Sequence, residues 1–234
     1  MPTTKKTNKA STRTSKKSTV AKKKPSAGST KAQMRVTIAK DVLAQIAARR
    51  YRPQIGSWVD DYKLGGLDGY VDSKFYKAHE TEAQSKKSGK NNCDIKVNAK
   101  EYLNKVTTCS VCALGAIFMS QVNTCGDVVF SEDSASPFDV FEDLHTSPLK
   151  KYFSVNQLML IEGCFEGSSG AHECDITDGD ARLLTEAYVF TYKTPTPRMV
   201  AIMTNIIRNK GNFVPSQDVT KEALIEAGKF YLTN

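Results

Sequence analysis

The sequence predicts a mainly α protein: a single helical domain with a few short strands at most, preceded by a disordered basic tail. Three observations predict it. Apolar residues recur at three- and four-residue spacing through most of the chain beyond residue 34. Cap residues, prolines and glycines punctuate those runs where helices start and stop. No strand–helix alternation calls for a parallel sheet, and no internal repeat is detectable. The division falls at 1–33 for the tail and 34–234 for the helical domain.

Charge separates the two parts. The 234-residue chain carries 33 Lys or Arg against 25 Asp or Glu, a formal +8. Met1 to Arg35 hold eleven of the basic residues and no acid; the first acid is Asp41. Val36 to Asn234 hold 22 basic and 25 acidic residues, a net of −3. Up to Gln33 the only large apolar residues are Met1 and Val20, while twelve positions are Ser or Thr. Such a segment cannot bury enough apolar surface to offset its ordering entropy. It lacks both the apolar stretch of a secretory signal and the amphipathic face of an organelle transit peptide. No apolar run approaches the ~18 residues that span a bilayer, so no membrane partner is expected. Six cysteines without a secretory signal predict reduced thiols in an intracellular compartment.

The elements follow in order. "MRVTIAKDVLAQIAARR" places Ile38, Val42, Leu43 and Ile46 on one helical face, with Lys40, Gln45 and Arg49 off it, and Pro53 limits its extension. From Gly56 to Lys100 the signal weakens. "GGLDGY" is turn-rich, "SKKSGKNN" reads as an exposed loop, and short strands fit Gln54–Val59 or Asp94–Val97. Asn98 caps a helix over "AKEYLNKV", and the apolar run Cys109–Val122 reads as the next. Ser136-Pro137-x-Asp139 marks another start. Ser154-x-x-Gln157 is a capping-box pattern opening "VNQLMLIEGCFEG", with Leu158, Ile161 and Phe165 inward and Gly167 at the exit. A further helix fits "ARLLTEAYVFTYK". Thr196-Pro197 opens "RMVAIMTNIIRNKG", with Met199, Ile202, Met203, Ile206 and Ile207 inward and Gly211 as terminator. Thr220 starts a last helix to about Phe230.

Candidate chemistry is sparse. On a helix Cys109, Cys112, Ala113, Ala116 and Ser120 would line one side, a stripe of small side chains that lets a neighbour approach closely. Structural zinc takes two ligand pairs, with C-x-x-C on a turn, and the partners on offer, Cys164, His172 and Cys174, match no common finger spacing. Packing is therefore the expected role and no cofactor is expected; zinc on Cys109, Cys112, Cys164, His172 and Cys174 is the alternative. "ECDITDGD" sets Asp175, Asp178 and Asp180 beside a glycine, but the EF-hand register fails. His79-Glu80 and His172-Glu173 lack the second histidine of H-E-x-x-H. "QSKKSGKN" is no P-loop and "GSSGA" no nucleophile elbow. His145 reads as a surface histidine.

The tail is the strongest signal. Lys5, Lys6, Lys9, Arg13, Lys16, Lys17, Lys22, Lys23, Lys24 and Lys31, spaced by Ser and Thr, suit neutralisation of nucleic-acid phosphates or another polyanion without sequence readout. No interleaved aromatics provide base stacking. Lys22-Lys23-Lys24-Pro25 also fits a nuclear-import signal.

"IAKDVLAQIAARRYRPQIGSW", "CSVCALGAIF", "QLMLIEGCFEG" and "MVAIMTNIIRNKGNFVP" resemble, in the same order, a loose set of viral and bacteriophage proteins without assigned activity. The resemblance covers most of Val36 to Pro215 and rests on core-type residues. It implies a shared fold and a viral accessory or virion-associated role, in the virion or the host nucleus. The functional expectation is a non-enzymatic protein whose tail binds nucleic acid. The alternatives are a metal- or thiol-dependent enzyme using the Cys/His cluster, and an interaction module whose tail is a localisation signal.

Overall fold

The computed structural model describes residues 29–61, 63–86, 96–126, 128–131, 147–167 and 179–233. The basic tail up to residue 28, the Ser136-Pro137 helix start, Asp175, Asp178, His145, His172 and Cys174 lie outside them. Within them the fold is mainly α.

The helices are α1 (Lys31–Ala47), α2 (Gly66–Lys86), α3 (Ala99–Lys105), α4 (Ala113–Cys125), α5 (Val155–Glu166), α6 (Gly179–Thr191), α7 (Pro195–Arg208) and α8 (Lys221–Thr233). Short strands are β1 (Tyr51–Pro53), β2 (Val59–Asp60), β3 (Lys96–Asn98), β4 (Cys109–Val111) and β5 (Val129–Ser131). Strands β1, β4 and β2 form a three-stranded sheet in that order. β1 is parallel to β4 with Tyr51 opposite Cys109, and β2 is antiparallel to it with Val59 opposite Val111. β3 and β5 pair antiparallel in a separate ribbon.

The core is built around α4. Every residue from Ala113 to Val122 is buried, so this helix is apolar on all sides and needs neighbours all round. Helices α1, α3 and α5 pack on it, α7 packs on α1 and α5, and α6 bridges α5 to α8. The link between α1 and α4 is polar as well as apolar: buried Asp41 accepts from Asn123 Nδ2 at 2.9 and 3.0 Å and from Gln45 Nε2 at 3.2 and 3.3 Å. Gln45, expected off the core face, is thereby buried, because its amide serves a carboxylate that water does not reach. A smaller cluster of Ala187, Ala223 and Ala227 joins α6 and α8.

Several helix ends match their caps. Asn98 accepts from Lys100 N, Ser154 from Gln157 N, and Thr220 from Ala223 N. Gly167 and Gly211 leave α5 and α7 at positive φ. Two starts differ from expectation. α7 begins at Pro195 behind Thr194, two residues early, because Pro195 already has the φ of a first helical residue. α1 begins at Lys31 on a capping box between Thr30 and Gln33, ahead of the boundary at 34.

Two expectations are overturned. The Cys109–Val122 run is not one helix: Cys109–Val111 is the central strand β4, and Cys112 is the N-cap of α4. β-branched Val111 and the pairings on both sides favour the strand, which turns directly into the helix. The weak stretch after Gly56 contains α2, 21 residues long. Only its first turns are buried, at Leu67, Tyr70 and Val71. The sequence of the remainder is rich in Lys, Ala, Glu and Gln, which hold a helix by propensity and give no periodic apolar signal.

Two outcomes are expected. Removing residues 1–28 leaves the melting temperature unchanged, whereas removing 1–33 deletes the capping box and lowers stability by about 1 to 2 kcal/mol, read by thermal denaturation. Gly115→Ala would put a methyl 1.8 Å from the Trp58 carbonyl oxygen, so it should cost more than about 3 kcal/mol in denaturant titration.

Candidate functional site

Two of the proposed zinc ligands, Cys109 and Cys112, are buried at the β4–α4 junction, and a third, Cys164, is buried in α5. Cys109 Sγ lies 3.9 Å from the Arg50 carbonyl oxygen, and Cys112 Sγ accepts from Gly115 N at 3.3 Å, capping the first turn of α4. Burial pushes the Cys109 thiol up to about 12 and the Cys112 and Cys164 thiols well up too. They are buried and protonated at neutral pH, which does not suit nucleophilic attack. Among the described residues no group of three or more His, Cys, Asp or Glu is placed to hold a metal ion. Of the acids in "ECDITDGD", Asp180 is exposed in the first turn of α6. His79 and Glu80 are exposed on α2.

A buried ionic junction escaped the sequence reading. Arg198, 2% exposed, donates from Nε to the Tyr192 carbonyl at 2.9 Å and from Nη1 to the Phe165 carbonyl. Glu166, 7% exposed, accepts at Oε2 from Gly56 N at 2.9 Å, and its Oε1 has no hydrogen-bond partner. Burial pushes the Glu166 carboxyl up to about 7 against the opposing pull of the Gly56 N–H and Arg198. This junction pins α5, the end of α6, α7 and the β1–β2 loop together. The hydrogen bonds of both side chains go to backbone groups of neighbouring elements, which is a structural use. The only sequence signal was a Glu and an Arg within otherwise apolar helical faces.

A cavity of about 390 Å³ lies beside the C-terminal end of α4, lined by Gln121, Cys125, Ser147, Pro148, Lys151 and Tyr152. Cys125, half-buried, lies 3.2 Å from Thr124 Oγ1 in a hydrogen bond. Burial raises its pKa, so at neutral pH it is a hydrogen-bonding thiol and not a nucleophile.

The basic side chains gather elsewhere. Lys31, the one predicted polyanion-binding residue among those described, is exposed at the first position of α1. Lys5, Lys6, Lys9, Arg13, Lys16, Lys17, Lys22, Lys23 and Lys24 precede the described residues. One turn beyond Lys31, Arg35 ties α1 to the rest of the body, donating to the Tyr152 carbonyl at 2.8 Å, to the Gly211 carbonyl and to Asn212 Oδ1 at 3.3 Å. Lys40 and Lys210 line a groove between α1 and the end of α7.

No family model, no curated protein and no solved structure matches this chain. No helix among the described residues is long and apolar enough to cross a membrane.

The Glu166 carboxyl has a direct consequence for stability. Because its folded pKa lies above the unfolded value of 4.5, the native state holds this proton more tightly between pH 4.5 and about 7. Its contribution to stability therefore falls as pH rises through that window and is level above it. Glu166→Gln, neutral throughout, should flatten this part of the profile when unfolding free energy is measured from pH 4.5 to 8.

Proposed function

We propose that this chain is a non-enzymatic polyanion-binding protein whose N-terminal basic segment neutralises nucleic-acid phosphates without reading sequence. One observation carries the reading: eleven Lys or Arg and no acid in Met1 to Arg35, joined to a body of net −3. The start of α1 supports the division of labour. Thr30 and Gln33 cap the helix, and Arg35 anchors it to the α7 turn and to Tyr152, so the segment is attached to a fixed point on the body. The protonated thiols and the structural use of the Glu166–Arg198 junction favour binding over catalysis. We place this binding in a viral accessory or virion-associated role, as the resemblance of the core segments to viral and bacteriophage proteins would imply.

Binding through phosphates makes log affinity fall linearly with log salt. For about six engaged charges the expected slope on duplex DNA is roughly −5, with little change when the DNA sequence is scrambled. Removing residues 1–28 should lower affinity by about 100-fold or more at physiological salt, and replacing Lys22, Lys23 and Lys24 by Gln should flatten the slope by up to about 3. Fluorescence anisotropy across a salt series measures all of these. Binding that survives the deletion undiminished, or that discriminates sharply between sequences, would put recognition elsewhere.

A further inference from the structure

The groove between α1 and the end of α7 has a volume of about 570 Å³ and lies directly beyond the point where the basic segment enters α1. Gln33, Val36, Thr37 and Lys40 recur at helical spacing along its α1 side, a run of about 10 Å. Ala32, Val36 and Ile207 give it an apolar lining. Its neutral polar groups are already engaged: Gln33 Oε1 accepts from Thr30 N at 2.8 Å, and the Thr37 hydroxyl donates to the Gln33 carbonyl at 3.0 Å. What it offers an occupant is apolar surface and two ammonium groups. Lys40 and Lys210 are both exposed, neither has an ion pair among the described residues, and no acid lines the groove.

The backbone keeps that arrangement fixed. Gly211, at φ 99°, packs so closely on α1 that a Cβ there would be 2.5 Å from the Ala32 carbonyl oxygen. The turn ending α7 holds Lys210 at φ 53°, a left-handed conformation that costs a non-glycine residue about 1 kcal/mol. A cation at a helix C-terminus is favoured by the helix dipole, but that preference asks for no left-handed lysine.

We infer that this groove carries the nucleic-acid track of the N-terminal segment onto the folded body, with Lys40 and Lys210 taking phosphates of a single strand whose sugars lie on Ala32, Val36 and Ile207. The inference rests on the reading of the basic segment as a nucleic-acid ligand and adds a second half to it. Lys31, at the first position of α1, stands between the two halves.

The test uses the full chain and a labelled single-stranded DNA oligonucleotide in a salt series. K40Q with K210Q should lower affinity about tenfold at ~100 mM salt and flatten the log–log slope by about 1.4, two phosphate contacts' worth on a single strand. A control pair, K77Q with K221Q, makes the same charge change at exposed positions on α2 and α8 and should move neither quantity comparably. All four lysines are exposed, so thermal melts should match the unaltered chain. If both pairs reduce binding equally, net charge alone is responsible; if neither does, the strand does not enter the groove; either result overturns the inference and leaves the basic segment as the ligand. An unaltered chain that shows no salt-dependent binding would overturn the inference and the proposed function together.

Discussion

Gly115 lies in the second half of the first turn of α4, directly beneath the Trp58 carbonyl, and the architecture depends on that contact. A helix apolar on every side gains from burial only if something covers each side, at roughly 25 cal/mol per Å² of apolar surface removed from water. The loop between β1 and β2 covers one side of α4. Its backbone can come that close only over a residue without a side chain. The same loop provides the Ser57 carbonyl, which accepts from Cys112 N, and Val59, which pairs with Val111. Sheet, cap and central helix are therefore fixed by one close approach, and α1 and α5 enclose what remains exposed.

Most buried charge in this body serves assembly. Asp41 joins α1 to α4, Arg198 joins α7 to α5, Glu166 joins α5 to the β1–β2 loop, and half-buried Arg35 joins α1 to the turn after α7. Asp41, Arg198 and Arg35 are held by backbone or amide partners, which is what makes a desolvated charge tolerable, whereas Glu166 has one partner on Oε2 and none on Oε1. Exposed Lys40 and Lys210 have no ion pair among the described residues. A surface ion pair contributes little, so an unpaired lysine loses little stability by staying available to a partner. Two such lysines flank the groove next to the basic N-terminal segment, which is why electrostatics, rather than any buried constellation, points to function here.

The cysteines illustrate how spacing misleads. C-x-x-C draws attention because zinc ribbons and dithiol oxidoreductases use it, yet both need thiolates in electropositive or metal-bound surroundings. Here Cys109 occupies a strand flanked on both sides, Cys112 gives its sulfur to the first turn of a helix, and both are buried. Burial alone moves these thiols away from reactivity. Both residues are buried, although not in the single helical stripe that suggested packing.

The sequence by itself determined the mainly helical class, the caps at Asn98, Ser154 and Thr220, the glycine exits at Gly167 and Gly211, the inward faces of α5 and α7, and the segregation of charge. These are readable because each depends on residues within about one helical turn of one another, where a side chain meets its own backbone. Tertiary structure decided the rest. A strand as short as Cys109–Val111 exists only because Tyr51–Pro53 and Val59–Asp60, far away in the chain, pair with it. Gln45 is buried where its amide reaches Asp41, and Glu166 and Arg198 find their backbone partners only where helices and the β1–β2 loop converge. The groove between Lys40 and Lys210 likewise appears only when Gly211 lets α7 close on α1. No local pattern encodes such contacts, since their energy comes from groups that the folded chain alone brings together.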